Sequence, residues 1–169
     1  TRLMGGNASI YNNAGERIEV RLLDSLNLIP TRLKAFTNMF ALESKKEILP
    51  YDLYTTENIR NVYVPIDECL KEVKKEDQTE YLENAKKWGN ILGDRINIID
   101  YSKEYCYFDC KVLKSGFEKF EIWIKEITEL STINYCSIAS LALDYLIKEG
   151  CFDGCYKLSG RPRDFIQRF

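Results

Sequence analysis

The 169-residue chain contains no histidine. That absence removes a Ser-His-Asp triad, a Cys-His nucleophile pair, a His-Glu-x-x-His zinc site and a histidine proton shuttle. Chemistry in this chain falls to carboxylates, Lys, Tyr, Cys or a hard metal ion. No apolar run reaches the ~18 residues that a membrane span needs, so a soluble chain with no membrane partner is expected. Repeats and low-complexity tracts are missing too. The six cysteines, Cys69, Cys106, Cys110, Cys136, Cys151 and Cys155, include no Cys-x2-Cys pair. Two Cys-x3-Cys pairs occur, but Cys106 and Cys110 lie in a strongly helical stretch, where that spacing is ordinary. With no signal-peptide pattern, the thiols are expected to be reduced and mostly buried.

A strong charge of either sign is also lacking. Lys and Arg number 24 against 26 Asp and Glu, a net charge of −2, with a pI of about 5.4. Such a chain has no global attraction for nucleic acid and would need a local basic patch or a metal-bridged contact to bind it. What is present is ordinary globular material, 45% hydrophobic and 30% charged, in about one domain's length of chain. The chain starts at Thr1 without a methionine and stops at Phe169 inside an amphipathic pattern, so a piece of something longer is expected.

The first segment reads as a hairpin. Ala8-Ser9-Ile10-Tyr11 leads through Asn12-Asn13-Ala14-Gly15 to a strand over 18–23, where Ile18, Val20 and Leu22 alternate with Glu19 and Arg21 and predict one buried face. The strand ends abruptly in Asp24-Ser25, the kind of strand end where α/β sheets place ligand contacts; a helix cap is the plainer reading. Pro30 predicts a helix to about Leu42 with Leu33, Phe36, Phe40 and Ala41 on its inner face. Residues 45–51 read as a loop closed by Pro50, and 52–65 as irregular connection. Charged helices are predicted at 66–75 and 78–90.

The most regular pattern predicts a helix from about Tyr101 to Leu130, its stripe formed by Tyr105, Phe108, Val112, Leu113, Phe117, Phe120, Ile124 and Ile127. Another helix is predicted over Ser137–Lys148, with Ile138, Leu141, Ala142, Tyr145 and Leu146 inward and Gly150 as its stop. Pro162 and Asp164 suggest the start of one more.

Asp109 falls inside the apolar stripe, one turn after Tyr105. A carboxylate there costs several kcal/mol unless it is paired, hydrogen-bonded or bound to a cation. Three readings stay open: a structural ion pair with a Lys or Arg from another helix, a metal ligand, or a solvent-facing residue at a break in the stripe. Lys46 beside Lys45 reads by itself as a solvated lysine.

The order of these pieces resembles the 3′–5′ exonuclease domain of family B DNA polymerases, in particular the protein-primed group of bacteriophages, linear plasmids and Maverick/Polinton-type elements. The resemblance rests on Asp24-Ser25-Leu26 followed by Pro30, on Lys46-Glu47-Ile48-Leu49 followed by Pro50-Tyr51, and on Tyr105-Cys106-Tyr107-Phe108-Asp109. The tail segments Ser137-Ile138-Ala139-Ser140 and Gly160-Arg161-Pro162-Arg163-Asp164-Phe165-Ile166 add to it.

The resemblance implies an α/β chain, helix-rich with a short N-terminal hairpin, forming part of an RNase H-like exonuclease fold. Residues 1–130 would be the C-terminal part of that domain and 131–169 the start of the polymerase domain. It implies phosphodiester hydrolysis with two Mg2+ or Mn2+ ions. Asp109 would be a metal ligand, Tyr105 would position the water, and Lys46 would stabilise charge on the scissile phosphate. Ser25, Leu26 and Tyr51 would contact the single-stranded DNA 3′ end. Primer-template DNA and dNTPs would be partners of the parent enzyme, as would a terminal protein. Departures are plain: no Asp-x-Glu occurs, and neither does the Asn and Asp motif that should precede the hairpin. An isolated chain with little or no activity is therefore expected. A reading of another class stands beside this one, a non-catalytic helical interaction module with Asp109 in a structural ion pair.

Overall fold

The computed structural model describes residues 5–155. In chain order the elements are strands β1 (Gly5–Tyr11) and β2 (Arg17–Leu23), helices α1 (Phe36–Met39) and α2 (Thr56–Asn61), strand β3 (Tyr63–Pro65), helices α3 (Ile66–Lys71) and α4 (Gln78–Lys87), strands β4 (Ile91–Leu92) and β5 (Arg95–Asn97), and helices α5 (Ile98–Thr128) and α6 (Ile138–Lys148). The chain is mixed α/β and rich in helix. The helix start suggested at Pro162 and Asp164 lies outside the described residues. Among the described residues no helix is long and apolar enough to cross a membrane.

Two compact units form, one from Thr31–Ile122 and one from Thr1–Pro30 with Trp123–Phe169. The unit of Thr31–Ile122 has a closed core. Its three strands pair antiparallel in the order β3-β5-β4, with Val64 and Ile91 both opposite Ile96. Leu53, Val64, Cys69, Val73, Tyr81, Ala85, Ile96, Ile98 and Tyr101 make one buried cluster. Tyr101 is its aromatic centre, with ring centroids 4.6 Å from Tyr81 and 4.9 Å from Trp88. Each of the cluster's Leu, Ile and Val side chains taken out of water contributes about 1.5–3 kcal/mol.

Helix α5 starts cleanly because Asn97 caps it: its Oδ1 accepts the Asp100 N–H at 3.0 Å. Further along, Gly116 gives Phe36 room. A Cβ at that position would overlap the Phe36 ring and lie 3.1 Å from Phe40 Cδ2.

Several expectations need correction here. The helix predicted from Pro30 to Leu42 shrinks to a 3-10 turn, Leu33–Ala35, and the four-residue α1. Phe36 and Phe40 are buried as expected, but Ala41 is exposed at φ +46, a backbone value that ends the helix. The stretch 52–65 is not irregular: Thr55 caps α2, accepting the Asn58 N–H, and β3 follows. On α5, Leu113 and Ile127 are exposed, although Tyr105 and Val112 are buried. The thiols are all free, and Cys69 alone is buried while the other five are exposed.

The other unit is more open. β1 and β2 form the expected antiparallel hairpin, with Ile10 opposite Ile18 and Ala8 opposite Val20. Asn12 builds the turn, its Oδ1 accepting from the Ala14 and Glu16 N–H groups at 2.9 Å, and Gly15 takes φ +79. The predicted buried face is absent, since Ile18 and Leu22 are 43% and 56% exposed. Two strands have no second layer to bury such a face. Asp24 caps the 3-10 turn Ser25–Asn27, accepting the Leu26 N–H at 3.0 Å. Among the described residues of this unit, burial is confined to Leu28, Ile29, Thr128, Thr132 and Leu141. Arg21 ties the hairpin to the segment after α5, donating to Ile133 O and Cys136 Sγ at 3.1 Å each. Ser137 caps α6 and Gly150 at φ +70 ends it, but Ala142 and Leu146, expected inward, are exposed.

Candidate functional site

The expected site residues of the closed unit sit on two pieces of backbone. Tyr105 and Asp109 are on α5, one turn apart on the same face as Tyr101. Lys46 and Tyr51 flank the irregular segment that ends at the buried Pro50, and Tyr51 opens the 3-10 turn Tyr51–Leu53. Tyr101 fastens the segment to the helix, its hydroxyl donating to Ile48 O at 2.9 Å. One turn on, Tyr105 meets Tyr51 and Lys46. A further turn brings Asp109 to Lys46.

The contacts form one chain. Lys46 Nζ donates to Asp109 Oδ2 at 2.8 Å and to the Tyr105 hydroxyl, and it lies 4.5 Å from the Tyr105 ring centroid. The Tyr51 and Tyr105 hydroxyls are 2.9 Å apart. Tyr105 is 5% exposed, whereas the Lys46 and Asp109 side chains are 27% and 22% exposed. Burial, then the Tyr51 hydroxyl and then the Asp109 carboxylate, push the Tyr105 phenol well above its ordinary range. It stays protonated at physiological pH, with a hydroxyl that accepts from Lys46 and retains a proton to donate.

Asp109 is only half satisfied. Its Oδ2 has Lys46, while its Oδ1 is buried and has no hydrogen-bond partner among the described residues. An unpaired buried acceptor costs about 1–3 kcal/mol, and it is a free oxygen donor of the kind a hard divalent cation takes. Asp109 fits one such bond. No group of three or more Cys, Asp or Glu side chains able to hold a metal occurs among the described residues. Asp109 is thus one ligand and not a complete centre. The ion pair expected for it in a structural reading exists, but its cation comes from a loop and not from another helix.

Lys46, Tyr51 and Tyr105 line a cavity of about 550 Å³, together with Lys34, Thr37, Asn38, Lys45 and Lys74 among others. Sequence reasoning passed over Tyr101, the anchor of the loop, although it stands four residues before Tyr105, and that spacing was the available signal. It also passed over the lysines from other segments, which carry no local pattern. Ser25 and Leu26 belong to the other unit. There Ser25 O accepts from the Leu28 and Ile29 N–H groups at 3.0 and 2.8 Å, and the Leu26 side chain is 42% exposed.

No match exists among curated proteins or among solved structures. The family of DNA polymerase type B, organellar and viral, matches residues 6–149, a span holding both strands of the hairpin, the Lys46 loop and all of α5. Over most of its length, then, the chain belongs to the organellar and viral type B DNA polymerases.

Proposed function

We propose that this chain carries part of the proofreading 3′–5′ exonuclease site of a type B polymerase of the protein-primed group, on a partial RNase H-like fold, and that it binds the 3′ end of single-stranded DNA. One observation supports the reading above others. Lys46, Tyr51, Tyr105 and Asp109, taken from separated stretches of sequence, form one hydrogen-bonded cluster beside a cavity. In this reading residues 1–130 serve the exonuclease part and 131–169 begin the polymerase part.

Mg2+ or Mn2+ supplies Lewis acidity to this reaction when bound, and Asp109 would hold it. The protonated Tyr105 hydroxyl orients the attacking water by hydrogen bonding. The Lys46 ammonium, already aimed by Asp109 and Tyr105, stabilises the negative charge that develops on the phosphate. Tyr51, 68% exposed, offers its ring for stacking on a base. Ser25 and Leu26 add contacts to the strand. Primer-template DNA, dNTPs and a terminal protein are partners of the whole enzyme.

Asp109 by itself cannot hold two ions, and the sequence contains no Asp-x-Glu, so the isolated chain has little or no nuclease activity. A manganese-dependent 3′–5′ nuclease assay on single-stranded DNA, with Asp109→Ala as control, tests this. Robust turnover by the wild type that the substitution abolishes would overturn the predicted inactivity.

The 2.8 Å pair between Lys46 and Asp109 also favours the second reading, an interaction module in which the pair is structural. Single-strand binding separates the two. In the exonuclease reading Tyr51→Ala lowers affinity for an oligothymidylate severalfold without changing the melting temperature. No effect on binding favours the module.

A further inference from the structure

Lys46 is aimed by more than the two groups it touches. The residues on either side of it are tethered as well, and to two different helices. Lys45 Nζ pairs with Glu80 of α4 at 2.7 Å, and Glu47 Oε2 accepts from Asn84 Nδ2 of α4 at 2.7 Å. Lys46 itself goes to Tyr105 and Asp109 of α5, and Ile48 O accepts from Tyr101 of α5 at 2.9 Å. Side chains 45 and 47 thus serve α4 while the one between them serves α5, an alternation of sides like that along a strand.

The tethers to α4 are not equal. Lys45 and Glu80 meet at the surface, where water screens the pair. Asn84 is 8% exposed and stands beside the buried Tyr81 and Ala85 of the same helix. A buried amide and its acceptor lose heavily if either is left unpaired, so this contact is the firmer one. Asn84 has a second neighbour. Burial pushes the Tyr101 phenol up, and the Asn84 amide beside it opposes that push. One buried side chain therefore reaches both the carboxylate next to Lys46 and the anchor of Ile48.

A lysine ammonium rides on a flexible four-carbon stem, so its place depends on where its backbone is held. A misplacement of about 1 Å at a reacting centre costs on the order of a hundredfold in rate. We infer that Asn84 is a positioning residue for Lys46, acting through the Glu47 carboxylate. The inference rests on the exonuclease reading for what Lys46 does with its charge, and not for the contact itself. Asn84 acts at one remove, by fixing the loop that presents the ammonium.

Competitive acetylation of the full chain at mildly alkaline pH, read lysine by lysine by mass spectrometry, tests it. Lys46, tied to Asp109 and Tyr105, is expected to label at least tenfold more slowly than the exposed Lys34. Asn84→Asp sets a carboxylate against Glu47 and should raise Lys46 labelling at least fivefold. Glu47→Ala breaks the same contact from the half-buried loop side and should raise it alike with the melting temperature unchanged, which decides the matter if a substitution at the buried Asn84 unfolds the chain. The swap Glu47→Gln/Asn84→Asp returns a donor to one side and an acceptor to the other. Lys46 labelling should then fall back to within twofold of the wild type, a rescue that a residue merely filling space would not show. Lys46 labelling as fast as Lys34 in the wild type, no rise with Glu47→Ala, or a folded swap variant that labels as Asn84→Asp does, each overturns the inference. The readout uses no nuclease turnover. A manganese assay or an oligothymidylate titration that goes against the exonuclease reading leaves this contact standing, and unmoved Lys46 labelling strikes the inference alone.

Discussion

The two compact units handle apolar residues differently. In the unit of Thr31–Ile122, Tyr81, Tyr101, Ile96 and Ile98 are fully buried in one cluster. In the other, Ile10, Ile18 and Leu22 on the hairpin, and Leu143, Leu146 and Ile147 on α6, are 40% exposed or more. Composition does not separate them, since both carry regular apolar spacing. What differs is the number of layers. α3, α4 and α5 and the three-stranded sheet supply the closed unit's layers, whereas a two-stranded hairpin cannot cover its own face. The candidate site is built on the closed unit, where Tyr105 is 5% exposed and hydrogen bonds to Asp109 and Tyr105 hold Lys46.

The largest expected effect breaks the closed unit. Tyr101→Ala removes an aromatic centre and the hydrogen bond to Ile48 O, and should cost about 3–5 kcal/mol in urea denaturation. The same variant frees the Lys46 segment, so hydrogen exchange across residues 45–50 should speed up. Gly116→Ala comes next. Its added methyl has to displace the Phe36 ring, at a cost of about 1–3 kcal/mol.

Smaller effects belong to the open unit. Ile147→Ser, on a side chain already 55% exposed, should change stability by less than about 0.5 kcal/mol and should lower binding of an apolar dye. A loss as large as that of Tyr101→Ala would show that this face is covered in solution. Thiol labelling perturbs least of all. Five thiols should react quickly with an aromatic disulfide reagent, and Cys69 slowly, because it is buried and burial pushes its pKa up to about 11. Cys69 deprotonates only near that value, so its labelling should stay slow through neutral and mildly alkaline pH.

Much of the local structure was legible without coordinates. The hairpin turn at Asn12–Gly15, α5 to within three residues at either end, and the Ser137 cap with its Gly150 stop follow from short-range rules of turn geometry, periodicity and capping. Errors arose where neighbours in space decide. The pattern from Pro30 to Leu42 reads as a helix, yet Phe36 and Phe40 reach their burial from a 3-10 turn and one helical turn. The strands β3, β4 and β5 are two or three residues long, too short for a period of two to show.

The site divides in the same way. Periodicity alone puts Tyr105 and Asp109 on one helix face and marks Asp109 as needing a partner. The chain by itself also settles that none of its own residues contributes a histidine and that it contains no Asp-x-Glu. Only the tertiary structure decided that Asp109's cation is Lys46, that Tyr51 closes on Tyr105, and that Lys34 and Lys74 reach the same cavity. The reason is physical: a helix repeats every 3.6 residues and so announces its own face, while a loop has no period, and the place where it meets a helix is set by anchors such as Tyr101 on Ile48.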